Sequence, residues 1–237
     1  MIFDSWPSMN ICQTEKNCII TCEIAGMNED DFEVSIEGND LRIAGDRPDP
    51  GVAEKALYHR YEIKYGRFGR NYWVPNVDSS GERAIYQNGY LKVVVPLGAK
   101  APDGSIVWDS SDFYNNVRRV SEKLTSLFID FGVESEWPPA NVYETERAQV
   151  ILCEVAGMKE EKFDIETEGG RIIISGIRQE PCPDVRITYH CLEIPSGPFR
   201  REFLLLPGVD PDRAEAAYRD GFLTVTIPKM TSKNQSG

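Results

Sequence analysis

Apolar and polar residues alternate along most of the chain with a period of two. Phe32-Glu33-Val34-Ser35-Ile36-Glu37 is the clearest stretch, and Phe163-Asp164-Ile165-Glu166-Thr167-Glu168 follows the same course. A strand sends successive side chains to opposite faces, so this pattern predicts strands with one wet face. The turns Gly38-Asn39-Asp40 and Gly169-Gly170 lead into return strands at 41–44 and 171–175. Stretches 17–24, 58–65, 68–74 and 81–86 read as further strands. The turns Asn88-Gly89 and Asp220-Gly221 set up closing hairpins at 90–95 and 222–227. Pro75, Pro96, Pro207 and Pro228 sit at strand ends, where a missing N–H costs no ladder bond. Short strands at this spacing predict an all-β chain of antiparallel sandwiches.

One segment breaks the rule. Phe113, Val117, Val120, Leu124, Leu127, Phe128 and Phe131 recur mostly at steps of three and four. That spacing predicts an amphipathic helix, capped by Ser110, Ser111 or Asp112, with Arg118, Arg119, Glu122 and Lys123 opposite the stripe. The stripe either packs on one of the sandwiches or forms an arm that meets partners.

The pattern occurs twice. Residues 10–47 align without a gap to 141–178, and 16 of these 38 pairs are identical. The match resumes at Tyr58-His59 with Tyr189-His190 and runs to Pro96 with Pro228. A unit of this length is a whole domain. The expected division is a first domain at 1–98, a linker with the helical arm at 99–138, a second domain at 139–229 and a tail at 230–237. Two copies of one domain point to binding or scaffolding before catalysis.

Charge narrows the partners. With 26 Lys and Arg against 38 Asp and Glu, the net charge is −12. That disfavours nucleic acid and anionic membranes, which call for clustered cations. There is no apolar run of 18 residues, and the start MIFDSWPSMN has no basic and apolar signal pattern. The expectation is a cytoplasmic protein. Six cysteines show no C-x-x-C spacing, so no metal site and no cofactor is expected. Cys22 and Cys153 alone share a repeat position, mid-strand, and read as buried thiols. His59 and His190, also equivalent, read as strand or interface residues rather than a catalytic pair. No nucleophile elbow, P-loop or H-E-x-x-H occurs, so no enzyme is expected.

The motifs resemble the small heat-shock protein family, with two α-crystallin domains in tandem. Glu154-Val-Ala-Gly-Met158 resembles the family's E-x-P-G segment, with Ala156 in place of Pro. Ile173-x-Ser175-Gly176-x-Arg178 resembles its I-S-G-x-R motif, and Phe199-x-Arg201-x-Phe203 its F-x-R-x-F strand. Ala216, Gly221 and Leu223 fall on its A-x-x-x-n-G-x-L signature. The first copy carries the same set at Arg47, Phe68-Gly69-Arg70 and Ala84 to Leu91. The resemblance implies two immunoglobulin-like sandwiches of the α-crystallin type, joined by the helical linker. It implies an ATP-independent holdase that binds unfolding clients; the alternative is an adaptor of similar fold with one folded partner.

The resemblance also implies sites. The stripe Phe113 to Phe131 would be the client-binding arm. A groove would run along Phe32, Val34, Ile36, Ala84 and Tyr86, and along Phe163, Ile165, Thr167, Ala216 and Tyr218. Arg70 and Arg201 would pair the domains. The family's plug motif I-x-I is absent from the stretch 229–237, which implies pairing within the chain or a small homo-oligomer. Relatives that exchange a strand would do so here with 48–58 and 180–189, and Pro181 and Pro183 argue against a well-paired strand in the second.

Overall fold

The structure is a computed structural model that describes residues 6–49, 56–78, 81–98, 137–181 and 187–230. The stripe residues Phe113, Val117, Val120, Leu124, Leu127, Phe128 and Phe131 lie outside the described residues, as does the helix expected there. The regular structure of the described residues is strand apart from three short 3-10 turns. The first copy supplies β1 (Met9–Gln13), β2 (Asn17–Glu23), β3 (Phe32–Glu37), β4 (Asp40–Arg47), β5 (Leu57–Tyr61), β6 (Gly66–Trp73), β7 (Arg83–Gln87) and β8 (Tyr90–Pro96). The second supplies β9 (Ala140–Glu144), β10 (Ala148–Glu154), β11 (Phe163–Glu168), β12 (Arg171–Arg178), β13 (Thr188–Leu192), β14 (Gly197–Leu204), β15 (Glu215–Arg219) and β16 (Phe222–Pro228).

Each domain is a sandwich of a three-stranded and a five-stranded sheet. The smaller sheets run β3-β4-β6 and β11-β12-β14. The larger ones run β13-β1-β2-β8-β7 and β15-β16-β10-β9-β5. The fifth strand in each comes from the other domain: β13 pairs antiparallel with β1, and β5 with β9. The two domains therefore exchange strands reciprocally within one chain.

The position of these strands differs from the windows 48–58 and 180–189. The second exchanged strand does pair, through four of its five residues, with Asn10 opposite Leu192 and Gln13 opposite Thr188. It begins at Thr188, beyond Pro181 and Pro183, so its N–H groups remain free to enter the ladder. Both exchanged strands carry a bulge at an equivalent histidine: register slips between Tyr58 and Arg60, and between the partners of Ile11 and Cys12.

Period two decides the cores. Ile11, Cys18, Ile20, Cys22, Leu41, Ile43, Leu91, Val93 and Val95 fill the first. Ile151, Cys153, Ile172, Ile174, Phe199, Phe203, Leu223, Val225 and Ile227 fill the second. Cys22 and Cys153 are fully buried, and burial pushes both thiols up to about 12, so they pack as small hydrophobes.

Candidate functional site

The contact between the domains is built from equivalent residues of the two copies. Arg47, the last residue of β4, reaches the carboxylate of Glu154 on β10; Arg178, the last of β12, reaches Glu23 on β2. The second nitrogens close each fork at 3.1 Å to Glu154 Oε2 and 3.3 Å to Glu23 Oε2. All four side chains are buried. Arg47 also donates to the Lys64 carbonyl, and Arg178 to the Pro195 carbonyl at 2.8 Å through Nε. Trp6 and Trp137 cover the two guanidinium faces, at 4.9 and 4.3 Å from ring centroid to Cζ. Burial raises the Glu154 carboxyl above its ordinary value, against the Arg47 charge beside it. Such pairs fix geometry more than they add stability, because desolvation consumes much of the Coulomb gain.

Glycines bring the backbones together. Gly157 N–H donates to the Asn88 carbonyl and Gly26 N–H to the Asp220 carbonyl, at 2.9 and 3.0 Å. Gly157 has φ 76° and lies against the ring of Tyr90; Gly26 has φ 71° and lies against Phe222. A Cβ at either position would strike that ring, so both strain and space demand glycine.

At the seams, asparagines anchor the chain that follows each exchanged strand. Asn141 Oδ1 accepts from the N–H groups of Glu62 and Ile63, at 2.9 and 3.0 Å. Asn10 Oδ1 accepts from those of Glu193 and Ile194, at 3.0 and 2.9 Å. The arginines of the F-x-R strands β6 and β14 then meet those same glutamates across the domain boundary. Arg201 forks onto Glu62 at 3.1–3.2 Å, and Arg70 onto Glu193 at 2.9 Å through each nitrogen. Glu193 is held below the usual carboxylate range. Burial alone would raise it, but Arg70 and the Met9 N–H more than offset that.

The expected groove residues lie on strands that edge their sheets among the described residues. Strands β3 and β7 edge the first domain, β11 and β15 the second. Phe32, Val34, Ile36 and Tyr86 line the first and rest half-buried against its core; Ala84 beside them is exposed. Phe163, Ile165 and Tyr218 do the same in the second, where Thr167 and Ala216 are exposed. Phe32 meets Tyr86 at 5.5 Å between ring centroids and Phe163 meets Tyr218 at 5.3 Å, bridging β3 to β7 and β11 to β15. Both tyrosine hydroxyls are tied to backbone, Tyr86 to Met27 N–H and the Ile24 carbonyl, Tyr218 to Met158 N–H and the Val155 carbonyl. Ile85, 57% exposed on β7, is not among the expected groove residues; Ala217 is its counterpart.

Sequence reasoning names the arginines at 70 and 201 but not their partners. Glu23, Glu62, Glu154 and Glu193 carry one visible signal, that each glutamate recurs at the same place in both copies. Among the described residues no group of three or more His, Cys, Asp or Glu could hold a metal ion. No helix there is long and apolar enough to cross a membrane.

The model of the Hsp20/alpha crystallin family matches residues 10–106 and 141–237. The 18.1 kDa class I heat shock protein of Oryza sativa subsp. japonica is 32% identical over 133 residues, which is 56% of this chain and 78% of that protein. The 18.2 kDa class I heat shock protein of Medicago sativa is 40% identical over 132 residues, 54% of this chain and 79% of that one. Among solved structures, HSP18.5 from E. histolytica overlaps 42% of this chain and 94% of its own length, with a TM-score of 0.37 and 24% identity.

Proposed function

The chain belongs to the Hsp20/alpha crystallin family, and from that premise we propose that it is an ATP-independent holdase built as a strand-exchanged pair within one chain. The observation that carries this reading is the set of half-buried apolar residues on β3, β7, β11 and β15, which edge their sheets among the described residues. Non-native clients expose apolar surface and extended backbone. Apolar contact is non-directional, and an open strand edge accepts an added strand, so one surface can serve many clients without chemistry. The net charge of −12 keeps a loaded complex soluble.

Arg70 and Arg201 serve here as domain-pairing residues, Val34, Ile36, Ala84, Tyr86, Ile165, Ala216 and Tyr218 as groove residues, and the stripe from Phe113 to Phe131 as a further client arm. The exchange occupies both seam edges from within, which favours a single chain or a small homo-oligomer in the cytoplasm. The test heats a model client with and without the protein, without ATP. Suppressed light scattering is expected; unchanged scattering at several-fold molar excess of the protein would overturn the reading.

A further inference from the structure

The outer face of β5 carries an aromatic row in which Tyr61, Tyr65 and Tyr143 stand where the other seam has Leu192, Ser196 and Cys12. Tyr143 packs on Tyr58 at 5.4 Å between centroids, Tyr58 on Tyr61 at 5.3 Å, and Tyr61 on Tyr65 at 6.0 Å. The bulge at His59 makes this possible. Residues three apart on a regular strand face opposite ways, and the extra residue turns Tyr61 to the side of Tyr58. The row ends on Arg47, whose guanidinium lies 5.1 Å from Tyr65. Leu57 is 58% exposed, Tyr61 54% and Tyr58 36%.

Closure of a seam does not require these rings. On β13 and β1 the matching positions are Tyr189, Leu192, Ser196 and Cys12, and that seam pairs over the same register with the same asparagine and arginine anchors. Tyr65 accepts from Asn141 Nδ2 at 3.3 Å and Tyr61 donates to Asp49 at 3.2 Å, yet the ring faces of Tyr58 and Tyr61 remain exposed.

We propose that the Tyr58–Tyr61–Tyr65–Tyr143 row is a one-sided docking surface for extended, cationic segments of non-native polypeptides. This deepens the holdase reading and rests on it. Two observations choose the occupant. The exposed apolar part is Leu57, Tyr58 and Tyr61, far short of the roughly 20–30 residues a side that a stable folded complex buries, which favours a short extended segment over a second folded copy. The chain's charge of −12 repels that copy as well and attracts Lys and Arg. Those side chains gain further from lying on tyrosine faces, while their stems cover Leu57.

The test places the photocrosslinking residue p-benzoylphenylalanine at position 61 or, as the internal control, at position 192. The probes are reduced, carboxyamidomethylated lysozyme, which is basic and non-native, and reduced, carboxymethylated α-lactalbumin, which is acidic. Crosslinks from position 61 to the basic probe, in clear excess over position 192 and over the acidic probe, are expected. In parallel, Y58S/Y61S should weaken binding of the basic probe about tenfold, and Y189S/L192S about twofold or less. Equal crosslinking from both positions, equal loss in both variants, or equal capture of the acidic probe would overturn the proposal. If Y58S/Y61S loses its fold, the crosslinking comparison decides alone. Client protection without crosslinks at 61 sinks this proposal and leaves the holdase reading; crosslinks without protection do the reverse.

Discussion

The seam of β5 on β9 and the seam of β13 on β1 are one joint built twice with different side chains. Both have the bulge at histidine, the asparagine that takes two N–H groups, and the arginine forked onto a glutamate from the other domain. Those shared parts are what closure needs. The rest diverges. His59 faces Glu144 at 3.5 Å, and Lys229 holds the same carboxylate at 2.9 Å; His190 meets Gln13 at 2.9 Å. Arg201 is 1% exposed as a side chain, whereas Arg70 is 14% exposed. Duplication within one chain frees one copy of a joint to change while the other keeps it closed.

The largest effect is expected where the two halves are still alike. R178A strands Glu23, and R47A strands Glu154, each in the domain contact. Removing one member of a buried pair costs about 3–5 kcal/mol. Denaturant unfolding should show losses of that size for both variants. R178M combined with E23M should lose less, because no charge remains buried. A single variant that loses under about 1 kcal/mol would mean that the ion pairs do not hold the domains together.

The arginines of the seams sharpen the contrast. R201A leaves a fully covered site and should cost about 2–4 kcal/mol; the more solvated R70A should cost about 1–2 kcal/mol. Equal losses in parallel unfolding curves would erase the distinction between the seams.

Acid gives the smallest effect. Glu193 titrates below the ordinary carboxylate value of 4.5 in the folded chain, and so does Glu144, held by Lys229 and His59. A depressed folded pKa adds stability that is fully present above pH 4.5 and is lost as pH falls through the folded value. Thermal unfolding between pH 6 and pH 3, roughly, should steepen on the acid side. E193Q should flatten that limb from the second seam, and E144Q from the first. A limb unchanged by either variant would remove both carboxylates from the account.

Much of this architecture is legible in the amino-acid sequence. Period-two alternation sets the inward residues such as Ile20, Ile43, Val93 and Ile174, because a slip by one would turn every one of them to water. The repeat sets two domains. The exchange itself is expected too early in both copies. The resemblance sets the windows at 48–58 and 180–189, but the pairing strands Leu57–Tyr61 and Thr188–Leu192 begin only at the ends of those windows, past the prolines. The partners of Arg47 and Arg178 are hidden for another reason. Glu154 and Glu23 lie 107 and 155 residues away in sequence, and only the packing of one domain on the other brings them within reach. The tyrosine row is hidden too, since a plain strand would set Tyr58 and Tyr61 on opposite faces and the bulge at His59 is set by tertiary pairing.

The central claim is that the exchange closes within a single chain. Ile11 on β1 lies directly opposite Cys191 on β13, a spacing that a disulfide can span. The measurement is mild oxidation of dilute I11C, followed by a non-reducing gel and peptide mapping. The account predicts that position 11 is linked to Cys191 at the mass of one chain. The same link at the mass of two chains would contradict it, because β13 would then have crossed to a neighbour.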